Sequence, residues 1–186
     1  MDCPVCGKEL KVFTEVYDTP HFGDVFILSV SCECGFKHSD CFVVSINEPV
    51  RYKIEINSKN YFTKVVRSSS GTIRIPELGV DMEPGPASRG FITNLEGVLY
   101  RIEEIVRMAR NWNKDDEEKV RRCDKILERI HNTLNGDGGL TLIIEDPLGN
   151  SFIDSEEAVK EVLTKEEASK LKRGIYIIDS SNFEKV

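Results

Sequence analysis

Two cysteine pairs constrain this chain more than any other feature. Cys3-Pro4-Val5-Cys6-Gly7 stands near the start and is answered by Cys32-Glu33-Cys34-Gly35. Four thiols in two close pairs are the ligand set of a tetrahedral structural Zn²⁺. A glycine after each pair lets the backbone turn tightly with positive φ. Ordinary buried cysteines and a disulfide framework are the competing readings, and the paired, glycine-punctuated spacing disfavours both. The residues point to one structural zinc held by Cys3, Cys6, Cys32 and Cys34. The second pair is C-x-C, one residue shorter than the usual C-x-x-C, so Cys41 is kept as the one nearby thiol able to replace a ligand.

Charge narrows the partners. The net charge is −7, and between Met1 and Ser45 only Lys8, Lys11 and Lys37 oppose seven acidic residues. A ribbon that grips phosphates should show the reverse balance, so nucleic acid is a disfavoured partner. Met1-Asp2-Cys3 has no basic leader pattern, and Val25-Phe26-Ile27-Leu28 is too short for a signal core or a membrane span. A soluble, cytoplasmic protein with reduced thiols is expected, with no membrane partner.

The order of elements follows from periodicity. Lys11–Asp18, Asp24–Ser31 and Lys37–Ile46 read as strands around the two knuckles, making a four-cysteine ribbon over residues 1–47 too small to fold on apolar burial alone. Residues 48–186 form the second domain. Val50, Tyr52, Ile54 and Ile56 alternate with Arg51, Lys53, Glu55 and Asn57, the pattern of a half-buried strand. Tyr61–Arg67 and Thr72–Ile75 continue the β pattern around Ser68-Ser69-Ser70-Gly71, and Glu83-Pro84-Gly85 offers a turn. The period then switches. Thr93-x-x-Glu96 reads as a capping box ahead of Leu95, Val98, Leu99, Ile102, Ile105, Val106 and Ala109. A second helix from about Asp115 carries Val120, Cys123, Leu127, Ile130 and Leu134 and stops at Asn135-Gly136. This antiparallel hairpin, about 94–135, is expected as an insertion outside the core. Leu140–Glu145 resumes as a strand into the Asp146-Pro147-Leu148-Gly149 turn, with Ser151-Phe152-Ile153 returning. Helices are expected at about Ser155–Leu163 and Lys165–Lys172, the second capped by Thr164 with Glu167, and a last strand at Ile175–Asp179.

Several ordered motifs carry a resemblance. They are Cys3-Pro4-Val5-Cys6, Pro20-His21-Phe22, Ser31-Cys32-Glu33-Cys34-Gly35-Phe36, Arg74-Ile75-Pro76-Glu77-Leu78, Asn94-Leu95-Glu96-Gly97-Val98-Leu99, and Leu142 through Phe152. The chain resembles the ZPR-type zinc-finger proteins, in the single-module form of archaeal members. The resemblance implies an α+β, mainly β fold: a zinc ribbon followed by a double-stranded β-helix domain with an inserted antiparallel α-helical hairpin. It also implies binding to translation elongation factor 1-alpha, as a chaperone or adaptor for that GTPase. Two departures stand out: the short second knuckle, and a segment after about Asp154 that does not match the eukaryotic ending.

A non-enzymatic binding protein is the leading functional class, because four thiolates leave a zinc no open position for chemistry. The alternative is a nucleic-acid-binding ribbon of the transcription or translation apparatus. A catalytic β-helix metal site needs clustered histidines, and the chain offers only His21, His38 and His131. Gly136-Asp137-Gly138-Gly139 lacks the Lys-Ser/Thr of a phosphate loop. Candidate partner contacts are Phe22 and Phe36, which a small ribbon cannot both bury, and the matched acids Glu145 and Asp146. Arg74 is expected to pair internally.

Overall fold

The computed structural model describes residues 1–19, 23–43, 46–86 and 88–173. It divides into two compact units, Met1–Asn47 and Glu48–Val186. The expected strand at Ile175–Asp179, His21 and Phe22 lie outside the described residues.

In the first unit β1 (Lys11–Thr19), β2 (Gly23–Ser31) and β3 (Lys37–Val43) make one antiparallel sheet in that order. Its apolar cluster is small: Cys3, Leu10, Val30 and Cys32, with Leu28 and Phe36 packed against them. Two of those four are cysteines, so the cluster relies on what ties the thiols together.

The second unit holds two antiparallel sheets. One is three-stranded, in the order β10 (Phe152–Ile153), β5 (Lys64–Arg67), β8 (Phe91–Asn94). The other is five-stranded, β11 (Val159–Val162), β4 (Val50–Ile56), β9 (Leu140–Asp146), β6 (Thr72–Ile75), β7 (Val80–Met82). Between the sheets lies one core, to which β4 gives Val50, Tyr52, Ile54 and Ile56, and β9 gives Leu140, Leu142 and Ile144. Those residues meet in register: Tyr52 faces Ile144, Ile54 faces Leu142 and Ile56 faces Leu140. Alternation sends the intervening charges outward, as it must once one face is buried. This is the mainly β, double-stranded β-helix arrangement with an α-helical hairpin.

The hairpin is not the appendage expected. Helix α1 (Leu95–Trp112) buries Leu95, Val98, Leu99 and Ile102 completely or nearly so, and α2 (Glu117–Leu134) buries Leu127 and Ile130 in the same core. Its caps also fall one residue later than the sequence suggests. Asn94, not Thr93, accepts the Gly97 N–H at 2.8 Å, and Asp116, not Asp115, accepts that of Lys119 at 3.2 Å. Thr93 is half-buried on β8, paired with Val65, and crowds Gly97, where a Cβ would lie 2.1 Å from its hydroxyl.

Three further local readings change. The expected helix over 155–163 does not form: a turn at 156–157 leads into β11, which pairs antiparallel with β4, Glu161 facing Arg51 and Lys160 facing Tyr52. Edge pairing outweighs local helical spacing there, because β4 offers unfilled backbone groups and the Leu163 N–H reaches Pro49 O at 2.8 Å. The Phe152–Ile153 strand does not return alongside β9 but crosses to β5, placing Ile153 opposite the core residue Val65. The turn expected at 83–85 sits further on, with Ser88 N donating to Gly85 O at 3.0 Å. Helix α3 (Lys165–Lys170) carries the expected Thr164–Glu167 capping box.

Candidate metal centre

Both knuckles are built by the same two backbone bonds. In the first, Gly7 N donates to Cys3 O at 2.9 Å and Cys3 N to Lys8 O at 2.8 Å. In the second, Gly35 N donates to Cys32 O at 3.0 Å and Cys32 N to Phe36 O at 2.9 Å. The second turn is the first with one residue removed, and each glycine takes the positive φ that closes it, +71° at Gly7 and +96° at Gly35. C-x-C therefore shortens the loop without losing a ligand.

The four sulfurs of Cys3, Cys6, Cys32 and Cys34 all lie within 4.8 Å of one another, with Cys3 to Cys34 at 3.6 Å and Cys6 to Cys32 at 3.5 Å. A tetrahedron with Zn–S bonds near 2.3 Å has edges of roughly 3.8 Å, so the observed spacings bracket a zinc site. Cys41 is outside this group, on β3 opposite Ile27. The four cysteines are positioned to hold one zinc ion, and Cys41 is not needed.

Crowding sets the thiol chemistry. Burial pushes the Cys3 thiol up, but the Val5 and Cys6 N–H groups and the neighbouring thiols outweigh it and hold Cys3 at about 7. The Lys8 N–H pulls Cys6 down, yet its contact with Cys32, burial and the other thiols carry it to about 12. Four adjacent thiols cannot all ionise against each other's charge. A central divalent cation removes that conflict, and its ligands are then thiolates.

The candidate partner residues fall elsewhere than expected. Phe36 is half-buried against the ribbon's cysteine cluster and is not a free anchor. Glu145 is engaged by two arginines, with Arg51 Nε and Arg74 Nε each 2.8 Å from its carboxylate, so the expected Arg74 pairing is internal. Burial pushes the Glu145 carboxyl up, but these two guanidinium groups outweigh it and hold the group below its ordinary value. Asp146 is 0% exposed. Its carboxylate accepts Ser68 Oγ at 2.6 Å, Ser70 and Ser151 Oγ at 2.7 Å, Leu148 N at 2.9 Å and Asn150 N at 3.0 Å. Neither acid is available to a partner. Both serve the fold, because a buried charge persists only when its oxygens are satisfied. The serine triplet reads in sequence as a turn, and nothing in it signals that Ser68 and Ser70 are donors to this carboxylate.

What the ribbon does expose is apolar. On β1, Val12 is 51%, Phe13 58% and Val16 56% exposed. Register makes two rows across the sheet, Phe13, Ser29 and Ser39 in one and Lys11, Ser31 and Lys37 in the other. These six residues line one face of a shallow cavity of about 200 Å³. No described helix is long and apolar enough to cross a membrane.

Residues 1–43 match the family model described as the ZPR1 zinc-finger domain, and residues 60–173 match that of the ZPR1 jelly-roll domain. The second match runs through β11 and α3, so the segment after Asp154 belongs to the family domain as far as residue 173. A ZPR1-like protein of Pyrococcus horikoshii is 43% identical over 183 residues, 95% of this chain and 82% of that one. One of Methanocaldococcus jannaschii is 42% identical, covering 96% and 92%. The zinc finger chaperone zpr1 of Schizosaccharomyces pombe is 27% identical over 82% of this chain, which spans only 35% of that longer protein.

Proposed function

The chain belongs to the ZPR1 family of zinc-finger proteins, and on that premise we propose that it is a non-enzymatic protein that binds translation elongation factor 1-alpha in the cytoplasm, as its chaperone or adaptor. The observation that carries this reading is the ribbon. Four thiolates complete the coordination of a zinc and leave no position for a substrate, so the metal's work is to order the sheet. That sheet displays Val12, Phe13 and Val16, and exposed aromatic and aliphatic side chains on a rigid support are what a protein interface uses as anchors. The name chaperone, given to the fission yeast relative, agrees with a partner of this kind.

A nucleic-acid reading has one specific feature in its favour: Lys11 and Lys37 flank Ser31 beside exposed Phe13. An aromatic with nearby cations can stack a base and meet a phosphate. The experiment is calorimetric titration of the zinc-loaded protein with purified elongation factor 1-alpha, with single-stranded RNA and with single-stranded DNA. Saturable binding to the elongation factor that Phe13→Ala weakens at least tenfold supports the proposal. Binding to RNA or DNA but not to the factor replaces it with the nucleic-acid reading.

A further inference from the structure

Arg51, Arg74, Arg107 and Arg110 each sit against a carboxylate. Two other arginines, Arg67 and Arg101, meet at the Phe91 ring, and exposed Arg89 stands two residues before it; none of the three has an ion pair among the described residues. The Arg101 guanidinium lies 4.4 Å from the centre of the Phe91 ring and that of Arg67 lies 5.7 Å from it. Arg67, itself buried, donates from Nη1 to Ser88 Oγ at 3.0 Å and to Arg89 O at 3.3 Å, which fixes the backbone carrying exposed Arg89. Gly90 completes the close approach, since a Cβ there would lie 2.9 Å from Arg67 O. In a chain of net charge −7 this is a held concentration of positive charge. Arg67 spends its donors on Gly71 O, Ser88 and Arg89 O, whereas exposed Arg101 stacks on the ring and keeps its planar fork for carboxylates.

Phe91 opens β8, and among the described residues β8 is the outermost strand of its sheet, paired with β5 alone. Among the described residues no strand covers its other edge. Along a strand successive side chains alternate in face, so Ile92 points away from the Phe91 side, and it is 64% exposed. Cations line one face of this edge, uncovered among the described residues, and an aliphatic group the other. An open edge of this kind pairs with an added strand, the partner's backbone supplying affinity and alternate side chains the specificity.

We propose that the outer edge of β8 docks an extended segment of a protein partner in which carboxylates alternate with apolar residues. The carboxylates meet Arg89 and Arg101, and the apolar residues lie over Ile92. The four residues Phe91–Asn94 offer about 13 Å of edge, enough to pair a short segment. This surface belongs to the β-helix unit and does not depend on the ribbon or on the elongation-factor assignment.

The test is fluorescence anisotropy of the full chain with a labelled octapeptide of alternating Glu and Val at low salt. Saturable binding is expected, weakened at least tenfold by Arg101→Glu and by Arg89→Glu, and several-fold by Ile92→Lys. Arg89 is exposed, so its variant keeps the test clean if Arg101→Glu disturbs Phe91. N-methylation of alternate peptide nitrogens should also cost at least tenfold. Absence of saturable binding overturns the proposal. So does equal binding of a peptide with the same residues in separate Glu and Val blocks, or tighter arginine-dependent binding of a ten-nucleotide oligo-dT, which would mark a general anion patch. A dimer in sedimentation that Ile92→Lys dissolves would make a second copy the occupant and overturn it as well.

Discussion

Glu145 Oε2 accepts a hydrogen bond from Arg74 Nε at 2.8 Å, across neighbouring strands of the five-stranded sheet. Arg51 binds the other oxygen, and the row extends to Glu161 on β11 and Asp81 on β7. Acid and base thus alternate over all five strands, and the middle member is almost wholly buried. Removing it takes from two partly buried guanidinium groups their most buried partner, leaving Arg51 with Glu161 and Glu167 and Arg74 with Asp81. Glu145→Ala should destabilise the β-helix unit by about 2–4 kcal/mol, read from the midpoint of urea unfolding. An effect below about 0.5 kcal/mol would mean that the row is a solvated surface feature.

The same carboxylate gives a pH dependence. Its folded pKa is held below the unfolded value, chiefly because the two arginines outweigh burial. The stability it contributes is therefore present above the unfolded value, roughly pH 4.3, and is lost as pH falls through the folded pKa. Unfolding measured from pH 7 down to pH 3 should show a drop below about pH 4.5 that is shallower in Glu145→Gln. Parallel curves for the two proteins would contradict this.

Asp146 satisfies five donors and is sealed from solvent, so its loss leaves three hydroxyls and two backbone N–H groups without their acceptor. Asp146→Ala should cost about 3–5 kcal/mol, while zinc content, measured by atomic absorption, stays at one per chain. Loss of zinc with an unchanged unfolding midpoint would reverse the assignment.

The helical hairpin shows where sequence reading reached its limit. The two helices were legible from their periodicity, as were the β4 alternation and the four cysteines. Which side of the hairpin faces a core was not, because an apolar stripe looks the same whether it closes on a partner helix or on a sheet. Leu99 and Ile102 are buried in the sheet core. The strand at Val159–Val162 was hidden for the opposite reason: its pairing is decided by the open edge of β4 and the Glu161–Arg51 contact, more than a hundred residues apart in the chain. Glu145 and Asp146 look like surface charges in sequence, and only the fold supplies the arginines and serines that bury them.

Ile102→Ala should accordingly destabilise the β-helix unit by about 2–5 kcal/mol, and replacing residues 95–134 with a Gly/Ser linker should abolish its cooperative unfolding. A linker variant that still melts cooperatively near the wild-type temperature would restore the appendage reading.

Zinc should follow the four sulfurs that meet. Cys34→Ser is expected to reduce bound zinc from one equivalent to well below half at micromolar free metal, and Cys41→Ser to leave it unchanged. Equal losses in both would bring Cys41 into the ligand set.

The most direct test of the functional account is refolding of denatured elongation factor 1-alpha in the presence of this protein. The yield of nucleotide-binding factor should rise at least several-fold with the zinc-loaded protein and return to the unassisted level with Cys34→Ser. No gain with the zinc-loaded protein, or an equal gain with the Cys34→Ser variant, would contradict a zinc-ordered chaperone for that factor.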